Sequence, residues 1–452
     1  MKIIIVGGGK TGATLAHSLT DEGHDVTIID QNNERVSLIC DNSDVMGLVG
    51  NGMNYSALFE AGIGDADLLI AVTGSDEQNL LSCLFARKTV NCATIARIRN
   101  PLFIDETEFI KEQVGLSMAI NPEYAAALEI SRLLRFPTAI DINSFSKGRA
   151  ELLTFKIPEG SMLDGKALTD VRSKLDCPVL FCSVERGGVC TIPSGTFELK
   201  AGDKASIFIQ PEEAHRFFKQ IKLDTHSVKN VMIIGGGTIA YYLAKMMLDA
   251  RIAVKIIEEN EERCHELAER LPEASIICGD ASDKNLLDEE GITTTDAFVA
   301  LTGFDEENVL LSLYAKEITD AKVITKVGRP IFNELIANLN LDSVIHPIGI
   351  TAENILQYVR ARQNAMGNNV ETLYKLVDDQ VEALEFTIQE PVPNLTDIPL
   401  KNLSLKKNLI ICGILRGKKF ILPGGDTAIQ VGDRVIVVTG QKKLNDFKDI
   451  LK

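Results

Sequence analysis

Ile3-Ile4-Ile5-Val6-Gly7-Gly8-Gly9-Lys10-Thr11-Gly12 is an apolar run that leads directly into a glycine-rich turn. The same pattern returns 228 positions later as Val231-Met232-Ile233-Ile234-Gly235-Gly236-Gly237-Thr238-Ile239-Ala240. In each copy an acid closes another apolar run 18 positions after the motif ends: Asp30 in the first copy and Glu258 in the second. One such pattern is a weak signal, but two in the same phase indicate an internal duplication.

The repeat extends far beyond the glycines, and the two halves share a set of short motifs. The offset between matched positions stays between 225 and 230 throughout. The matched pairs are Asn51-Gly52 with Asp280-Ala281, Thr73 with Thr302, Asp76-Glu77-Gln78-Asn79 with Asp305-Glu306-Glu307-Asn308, Arg97 with Lys326, and Asn121-Pro122 with His346-Pro347. A match of this extent predicts that a whole domain has been duplicated.

Each half begins with about 135 residues in which short apolar, β-branched runs alternate with amphipathic, helix-length segments. This alternation is typical of βαβ units, whose parallel strands are covered by helices on both faces. In the first half we predict strands at 2–7, 26–30, 46–50, 67–73, 93–98 and 117–121, and helices at 11–22, 32–41, 54–61, 77–89, 102–112 and 122–135.

A smaller β-rich segment follows each α/β domain. In both segments a Gly-Asp pair, Gly202-Asp203 in the first and Gly432-Asp433 in the second, stands just before a short apolar strand and predicts a tight turn. The fold class that we predict is α/β, with two Rossmann-like doubly wound parallel sheets, each followed by a small β-rich α+β lobe. The predicted α/β domains span 1–136 and 228–362, and the predicted lobes span 137–223 and 366–452.

The glycine motif has a defined chemical use when strand, helix and spaced acid are all present. The first glycine allows the tight turn, the second lets the backbone approach a pyrophosphate, and the third lets the helix pack closely on the sheet. The helix that follows points free N–H groups and its positive dipole end at the phosphate. The acid accepts hydrogen bonds from ribose hydroxyls and repels a 2′-phosphate, so that NAD is favoured over NADP in both halves.

The candidate nucleotide-binding residues follow from these roles and from the repeat. They are Gly7, Gly9, Lys10, Thr11, Gly12, Asp30, Asn51, Gly52, Thr73 and Arg97 in the first half, and Gly235, Gly237, Thr238, Glu258, Asp280, Ala281, Thr302 and Lys326 in the second. Structural alternatives stay open for five of these residues. The alternative for Lys10 is an exposed lysine at a helix start, that for Arg97 and Lys326 is a salt bridge, and that for Thr73 and Thr302 is a simple strand end. A half that keeps its fold but has lost its ligand is another open alternative.

Composition excludes several classes of partner. The 452-residue chain has a formal net charge of −16, which argues against nucleic acid and against direct adsorption to anionic lipid. No run approaches 18 uninterrupted apolar residues, so we predict no transmembrane helix and no direct membrane insertion. The nine cysteines include no CxxC pair and are predicted to be reduced cytosolic thiols.

The sequence carries no recurring set of catalytic residues. None of the six histidines is matched at the equivalent position of the other half, and no His, Cys and carboxylate cluster has metal-ligand spacing. A dehydrogenase needs an acid/base group beside the site of hydride transfer. Nucleotide sites without such a group favour sensing over catalysis, and we predict neither catalytic residues nor a bound metal.

The doubled glycine motif, spaced acid, Asp-Glu-x-Asn segment and Gly-Asp turn together resemble the TrkA family, the cytosolic regulatory subunits of Trk-type potassium uptake systems. Members of this family are tandems of RCK (KTN) domains with C-terminal lobes, and the resemblance covers essentially all 452 residues. It implies a peripheral cytoplasmic protein at the inner face of the cell membrane. That protein would bind a TrkH-like potassium-translocating membrane subunit and assemble as a homo-oligomer, commonly a tetramer, into a ring.

The resemblance also implies that NAD(H) and ATP or ADP bind at the two glycine-rich clefts and change the shape of the ring that controls the channel. Asn51-Gly52 departs from the Gly-Asp-Ala that is usual in the family, which leaves the nucleotide preference of the first half open. The sequence does not decide whether the lobes bind cyclic di-AMP or cations. An NAD-dependent oxidoreductase and a regulatory subunit of another cation transporter are the alternatives.

Overall fold

The chain folds into two compact units, one that contains both α/β domains and one that contains both lobes. The structure, a computed structural model, describes residues 1–90, 92–100, 106–136, 138–145, 149–223, 228–329, 336, 339, 341–364, 370–376, 380–417, 419–440, 444 and 446–452. Met1–Ile130 and Asn230–Leu356 form one unit, here called the α/β unit. Ser131–Lys229 and Gln357–Lys452 form the other, the lobe unit. The predicted first residues of the two lobes, 137 and 366, lie outside the described residues.

The first α/β domain alternates strands and helices throughout. Its described elements are β1 (Lys2–Val6), α1 (Lys10–Asp21), β2 (Asp25–Asp30), α2 (Asn33–Asn42), β3 (Met46–Val49), α3 (Tyr55–Glu60), a 3-10 turn (Ile63–Asp65), β4 (Leu68–Ala71), α4 (Asp76–Thr89), β5 (Ala93–Arg97), α5 (Thr107–Val114), β6 (Met118–Ile120) and α6 (Pro122–Arg135). Each predicted strand and helix of this half has a counterpart here. Residues 102–105 of the predicted fifth helix lie outside the described part of the chain.

The strands of this domain form one parallel sheet in the order β3-β2-β1-β4-β5-β6. The chain runs outward from β1 to β3, crosses back and continues from β4 to β6, which is the doubly wound Rossmann order. Ile3, Ile4, Ile5 and Val6 are all buried, as expected for a central strand covered on both faces. The connections leaving β1 and β4 diverge at their carboxyl ends, and a crevice opens at that point.

The first lobe is built on an antiparallel sheet. Its described elements are β7 (Asp141–Phe145), β8 (Ala150–Lys156), β9 (Lys166–Ala167), α7 (Leu168–Arg172), β10 (Leu180–Arg186), β11 (Val189–Thr191), β12 (Glu198–Leu199), β13 (Lys204–Ile209) and α8 (Pro211–Gln220). The strand order is β11-β10-β13-β8-β7, and β9 pairs separately with β12.

The second α/β domain repeats the architecture of the first. Its described elements are β14 (Asn230–Ile234), α9 (Thr238–Asp249), β15 (Ala253–Glu258), α10 (Glu261–Arg270), β16 (Ser275–Cys278), α11 (Lys284–Glu289), a 3-10 turn (Ile292–Thr294), β17 (Ala297–Ala300), α12 (Asp305–Ile318), β18 (Lys322–Lys326), β19 (Ser343–Ile345) and α13 (Pro347–Asn364). Its parallel sheet has the order β16-β15-β14-β17-β18-β19, the same doubly wound order. The predicted fold class is confirmed.

The second lobe has the same strand topology as the first. Its described elements are β20 (Val370–Leu376), β21 (Val381–Thr387), β22 (Leu409–Arg416), β23 (Lys419–Ile421) and β24 (Arg434–Thr439), with 3-10 turns at Leu400–Asn402 and Phe447–Ile450. The order β20-β21-β24-β22-β23 corresponds strand for strand to that of the first lobe. Within the lobe unit the two sheets share one apolar core, to which Phe145, Leu152, Phe208, Val381 and Ile436 contribute.

The matched Gly-Asp turns are held by matched arginines. Gly202 and Gly432 have positive φ angles of 85° and 89°, so each provides the left-handed residue of the turn. Asp203, 2 % exposed, accepts hydrogen bonds from both Nε and a terminal nitrogen of Arg186 at 2.7 Å. Arg416 binds Asp433 in the same bidentate way, at 2.9 and 2.8 Å. Each half therefore has an ion pair between a buried carboxylate and a partly exposed arginine that fastens the turn to its sheet.

Two glycines shape the first turn by steric exclusion. Gly7 has φ +109°, and a Cβ there would lie 2.9 Å from the backbone nitrogen of Thr73, two residues after β4. A Cβ on Gly12 would lie 1.8 Å from the carbonyl oxygen of Gly7. The turn thus packs against β4 on one side and against α1 on the other. The second half has Ala240 in place of the last glycine, and that alanine is fully buried.

A buried asparagine joins the ends of β4 and β5 in each α/β domain. Oδ1 of Asn79 accepts hydrogen bonds from the N–H and the hydroxyl of Thr73, both at 2.8 Å. Its Nδ2 donates to the carbonyl of Arg97 at 2.9 Å. Asn308 makes the corresponding bonds to Thr302 and Lys326, at 2.8 and 3.1 Å. Asn79 and Asn308, the last residues of the matched Asp-Glu-x-Asn segments, therefore fix the cleft edge of each sheet.

We expect Gly12→Ala to lower the stability of the α/β unit by about 1–3 kcal/mol, because the added methyl group forces the turn and α1 apart. The measurement is urea unfolding of the full-length chain, scored on the transition that reports the α/β unit. Ala240→Gly is the matched control, and its expected loss is at most ~1 kcal/mol, the difference in helix propensity. Equal midpoints for wild type and Gly12→Ala would contradict the packing described for the turn.

We expect Asn79→Ala to destabilise the same unit, because it leaves the N–H of Thr73 and the carbonyl of Arg97 without this partner. Each buried polar group that loses its hydrogen-bond partner lowers the free energy of unfolding by about 1–3 kcal/mol. Lys88→Ala, an exposed position on the same helix, provides the control for loss of a side chain from α4. If both variants unfold at the wild-type urea concentration, Asn79 does not hold the strand ends together.

Candidate functional site

A cleft of about 810 Å³ opens at the carboxyl ends of β1 and β4, and we call it the first cleft. Its volume falls within the range of roughly 300–1,000 Å³ that is usual for small-molecule and cofactor sites. Nine of the ten residues predicted for this half line it: Gly7, Gly9, Lys10, Thr11, Asp30, Asn51, Gly52, Thr73 and Arg97. Gly12 lies beneath the turn, buried against Gly7, and acts through the backbone geometry instead.

The glycine turn presents backbone N–H groups at the floor of the first cleft. α1 begins at Lys10 with Gly9 as its N-cap, and no side chain caps it. No atom lies within 4 Å of the position that a Cβ on Gly9 would occupy, so the backbone is open on that side. Gly237 has the same geometry ahead of α9. A helix N-terminus that is open in this way suits a phosphate group.

The acid at the end of the second strand is bound to the turn by hydrogen bonds. One oxygen of Asp30 accepts the N–H of Gly8 at 2.6 Å and the other accepts the N–H of Asn32 at 2.8 Å. In the second half Glu258 accepts the N–H groups of Gly236 and Asn260 at 2.5 and 2.9 Å. A carboxylate has about four acceptor positions, so each acid retains capacity for ribose hydroxyls.

The third strand is followed by a polar residue that turns the chain into the next helix. Oδ1 of Asn51 accepts the N–H of Met53 at 3.0 Å, and Oδ1 of Asp280 accepts the N–H of Ser282 at 2.8 Å. The hydrogen bonds from Ser282 lower the pKa of Asp280. The two positions share one backbone role, and they differ in that only the second carries a charge.

The two cations at the ends of β5 and β18 already bind backbone carbonyls. Arg97 donates to the carbonyl of Thr73, and Nζ of Lys326 donates to that of Thr302 at 2.5 Å. Burial lowers the pKa of Lys326, and burial together with the nearby Arg99 lowers the pKa of Arg97. Each cation therefore fixes a strand end, and Arg97 also places positive charge at the edge of the first cleft.

The two halves differ in the arginine that follows the acid. In the first half an Arg35 nitrogen lies 4.0 Å from Asp30, and the side chain lines the cleft while 59 % exposed. In the second half Nε of Arg263 donates to the carbonyl of Gly236 at 2.7 Å, and its guanidinium also pairs with Glu266. The first arginine can meet a ligand phosphate more readily than the second, since it has fewer bonds to give up.

Sequence reasoning did not identify this arginine pair. Their matched positions, five residues after each acid, were the available signal. It also missed Arg99 and Glu123, which line the first cleft and pair with each other at 2.7 Å.

Residues of the second α/β domain complete the first cleft. Pro347, Ile348 and Thr351, from the start of α13, line it together with the residues of the first half. The reciprocal contact is also present, since Nδ2 of Asn121 donates to the hydroxyl of Tyr242 on α9 at 3.2 Å. No sequence motif indicates these contacts, because they depend on how the two α/β domains pack within their unit.

Two other kinds of site are absent from the part of the chain that the structure describes. Among the residues that the structure describes, no helix combines the length and the apolar character needed to cross a bilayer. Within the same residues, no group of three or more His, Cys, Asp and Glu side chains is placed to hold a metal ion.

Two solved structures with this architecture come from the GsuK channel. The GsuK RCK domain superposes with a TM-score of 0.63 at 15 % identity, over 97 % of this chain and 92 % of that one. A structure described as the GsuK channel bound to NAD gives a TM-score of 0.64 at 16 % identity, over 99 % of this chain and 78 % of that one. At these identities the comparison establishes the shared fold alone.

Sequence comparison establishes the family. The TrkA-N domain matches residues 3–122 and 231–347, and the TrkA-C domain matches residues 152–222 and 383–452. The chain is 34 % identical to the Trk system potassium uptake protein TrkA homolog of Archaeoglobus fulgidus, over the full length of both. It is 32 % identical to TrkA of Haemophilus influenzae, over 98 % of this chain and 96 % of that one. The chain therefore belongs to the TrkA family of Trk-system potassium uptake proteins, as its motifs predicted, and this family is not one of enzymes.

Proposed function

We propose that this chain is a regulatory subunit whose α/β unit binds adenine nucleotides and passes the binding energy to a potassium-translocating membrane partner. The observation that carries the proposal is the composition of the first cleft, which is lined by the glycine turn of one α/β domain and by α13 of the other. A ligand there touches both domains. Its affinity therefore depends on their arrangement, and by linkage its binding biases that arrangement.

The first cleft has the parts that a dinucleotide or an adenine nucleotide requires. The open turn at Gly9 would hold phosphate, Asp30 would accept the ribose hydroxyls, and Lys10 and Arg35 would add charge beside the phosphates. NAD(H) is the first ligand to test, since a GsuK channel of the same fold is described with NAD bound. ATP and ADP meet the same groups, and they are the second pair to test.

The second cleft, at the carboxyl ends of β14 and β17, has the same framework with different charges. It offers Gly235, Gly237 and Thr238 at the turn, Glu258 at the ribose position, and Asp280-Ala281, Thr302 and Lys326 at the other strand ends. The additional carboxylate at Asp280 and the engaged Arg263 make it less favourable for a highly charged polyphosphate. We infer that the two clefts prefer different nucleotides.

The remaining elements of the proposal concern assembly. The names of the relatives refer to the Trk potassium uptake system, so the partner that we propose is a TrkH-like membrane subunit. We place the chain at the cytoplasmic face of the cell membrane, as a homotetramer whose α/β units form a ring. Each coupled site contributes only about 1–3 kcal/mol, so repetition around a ring would add several such terms.

We expect Asp30→Ala to weaken NADH or ATP binding at the first cleft by about tenfold or more. Hydrogen bonds to a charged acceptor contribute about 1.5–3 kcal/mol, and this variant removes the acceptor of the ribose hydroxyls. The measurement is isothermal titration calorimetry on the purified full-length chain. Comparison of Asp30→Ala with Glu258→Ala distinguishes the affinity of the first cleft from that of the second. The control is Asp41→Ala, an exposed acid on α2.

Asp30→Asn keeps the shape of the side chain and guards against simple misfolding of the alanine variant. If both Asp30 variants bind each nucleotide with wild-type affinity and stoichiometry, the assignment of the first cleft is wrong. Loss of affinity should also blunt nucleotide control of potassium flux in vesicles that contain the membrane partner.

We expect Ile348→Ala to weaken binding at the first cleft by about fivefold, although it lies in the second α/β domain. The variant removes apolar contact from the cleft wall, and partial burial of such a side chain contributes roughly 1 kcal/mol. Leu310→Ala, 68 % exposed on α12, is the control for loss of an aliphatic side chain in the same domain. If Ile348→Ala binds nucleotide with wild-type affinity, the second α/β domain does not contribute to binding at the first cleft, and the proposed coupling has no basis.

A further inference from the structure

Two cysteines lie next to Glu258, the acid of the second half. Cys264 is on α10, 7 % exposed, with its sulfur 3.2 Å from the carbonyl oxygen of Glu258. Cys278 is the last residue of β16 and pairs with Glu258 in the parallel register of β15 and β16. Both thiols thus adjoin the same residue, one from the helix above the strand and one from the neighbouring strand.

Their electrostatics agree with direct contact between the thiols. Burial and the adjacent Cys278 thiol raise the pKa of Cys264 to about 12. Cys278 is exposed, whereas Cys264 is buried. An exposed thiol in front of a buried one is the arrangement in which the outer sulfur reacts first and the inner sulfur follows.

The fold does not require cysteine at either position. Asn32 and Asn260 cap the equivalent helices α2 and α10, and the residue four positions after the cap is Val36 in one and Cys264 in the other. Val49 pairs with Asp30 just as Cys278 pairs with Glu258. The first half therefore uses two valines where the second half uses two thiols.

The location connects this thiol pair to the candidate ligand site. Glu258, which adjoins both sulfurs, holds the second glycine turn through its carboxylate. Cys278 is followed directly by Gly279 and Asp280, which form the turn at the other side of the ribose position. A covalent bond between α10 and the end of β16 would constrain both the second glycine turn and the Gly279-Asp280 turn.

We propose that Cys264 and Cys278 are a redox-active dithiol that closes to a disulfide and thereby lowers nucleotide affinity at the second cleft alone. The disulfide closure rests on the placement of both cysteines against Glu258, and its effect on affinity rests on the proposed nucleotide binding. The first cleft, with Val36 and Val49, stays insensitive to the same oxidant.

The co-reactant is a low-molecular-weight disulfide. The thiolate of Cys278 attacks one of its sulfurs, which forms a mixed disulfide and releases one thiolate. Cys264 then loses its proton to solvent and attacks the Cys278 sulfur, which forms the protein disulfide and releases the second thiolate. The two cysteines are oxidised by two electrons, the small disulfide is reduced to two thiols, and the two protons from the cysteines balance those thiols.

The first experiment maps the bond in the full-length chain. Wild type is incubated with oxidised glutathione, quenched with iodoacetamide, digested and analysed by mass spectrometry. We expect a cross-linked peptide that joins Cys264 to Cys278 and disappears on reduction. Cys182 and Cys412, both fully buried, are internal references that should stay reduced. Glutathione retained on Cys278 without cross-link, or no reaction at either residue, overturns the proposal.

The second experiment measures the effect on the cleft in an Asp30→Ala background, where the second cleft dominates the titration. We expect oxidation to weaken NADH or ATP binding about tenfold, a change of ~1.4 kcal/mol. Cys264→Val/Cys278→Val, which installs the residues of the first half, should bind like the reduced protein under both conditions. An oxidised protein with wild-type affinity overturns the regulatory role. If the reduced protein binds no nucleotide either, the proposed function of the second cleft is wrong. Disulfide formation between Cys264 and Cys278 is then judged by the peptide map alone.

Discussion

The close approach of the first glycine turn to the end of the fourth strand is the constraint on which the rest of the site depends. Gly7 allows its backbone to lie against Thr73 where any side chain would collide, and Gly235 does the same against Thr302. This contact aims α1 and α9 so that their open N-termini face the crevice. The buried Asn79 and Asn308 then hold the opposite side of the contact in place.

Polar groups around this contact serve the fold and the ligand site at once. Asp30 holds the glycine turn and retains acceptor capacity for a ribose, while Arg97 holds a strand end and places charge at the cleft edge. A nucleotide bound as proposed would touch the same backbone atoms, so its binding would be coupled to the positions of the strand ends. Such preorganised groups lose little freedom when a ligand arrives, which suits a sensor that must respond to modest binding energies.

Duplication provides a shared framework on which the two halves have diverged. The strand orders, the capping asparagines and the buried asparagine bridges are the same in both halves. The differences lie next to the acid and the third strand of each half, where Asn51 corresponds to Asp280, and Val36 and Val49 correspond to Cys264 and Cys278. Asn51 and Asp280 lie outside the buried core, and valine and cysteine are similar in size, so these differences can alter ligand preference or reactivity at small cost in stability.

The sequence by itself determined the elements and the local chemistry of this protein. The periodicity of Ile3–Val6 and its repeat, the glycine spacing and the acids predicted both parallel sheets and nine of the residues that line the first cleft, because these features depend on local backbone geometry. Only the tertiary structure decided that Arg97 binds a carbonyl, that Pro347 and Ile348 close a cleft of the other domain, and that Cys264 meets Cys278. Those contacts join residues that are distant in the chain, and their partners are set by how helices and domains pack, which no single stretch of sequence encodes.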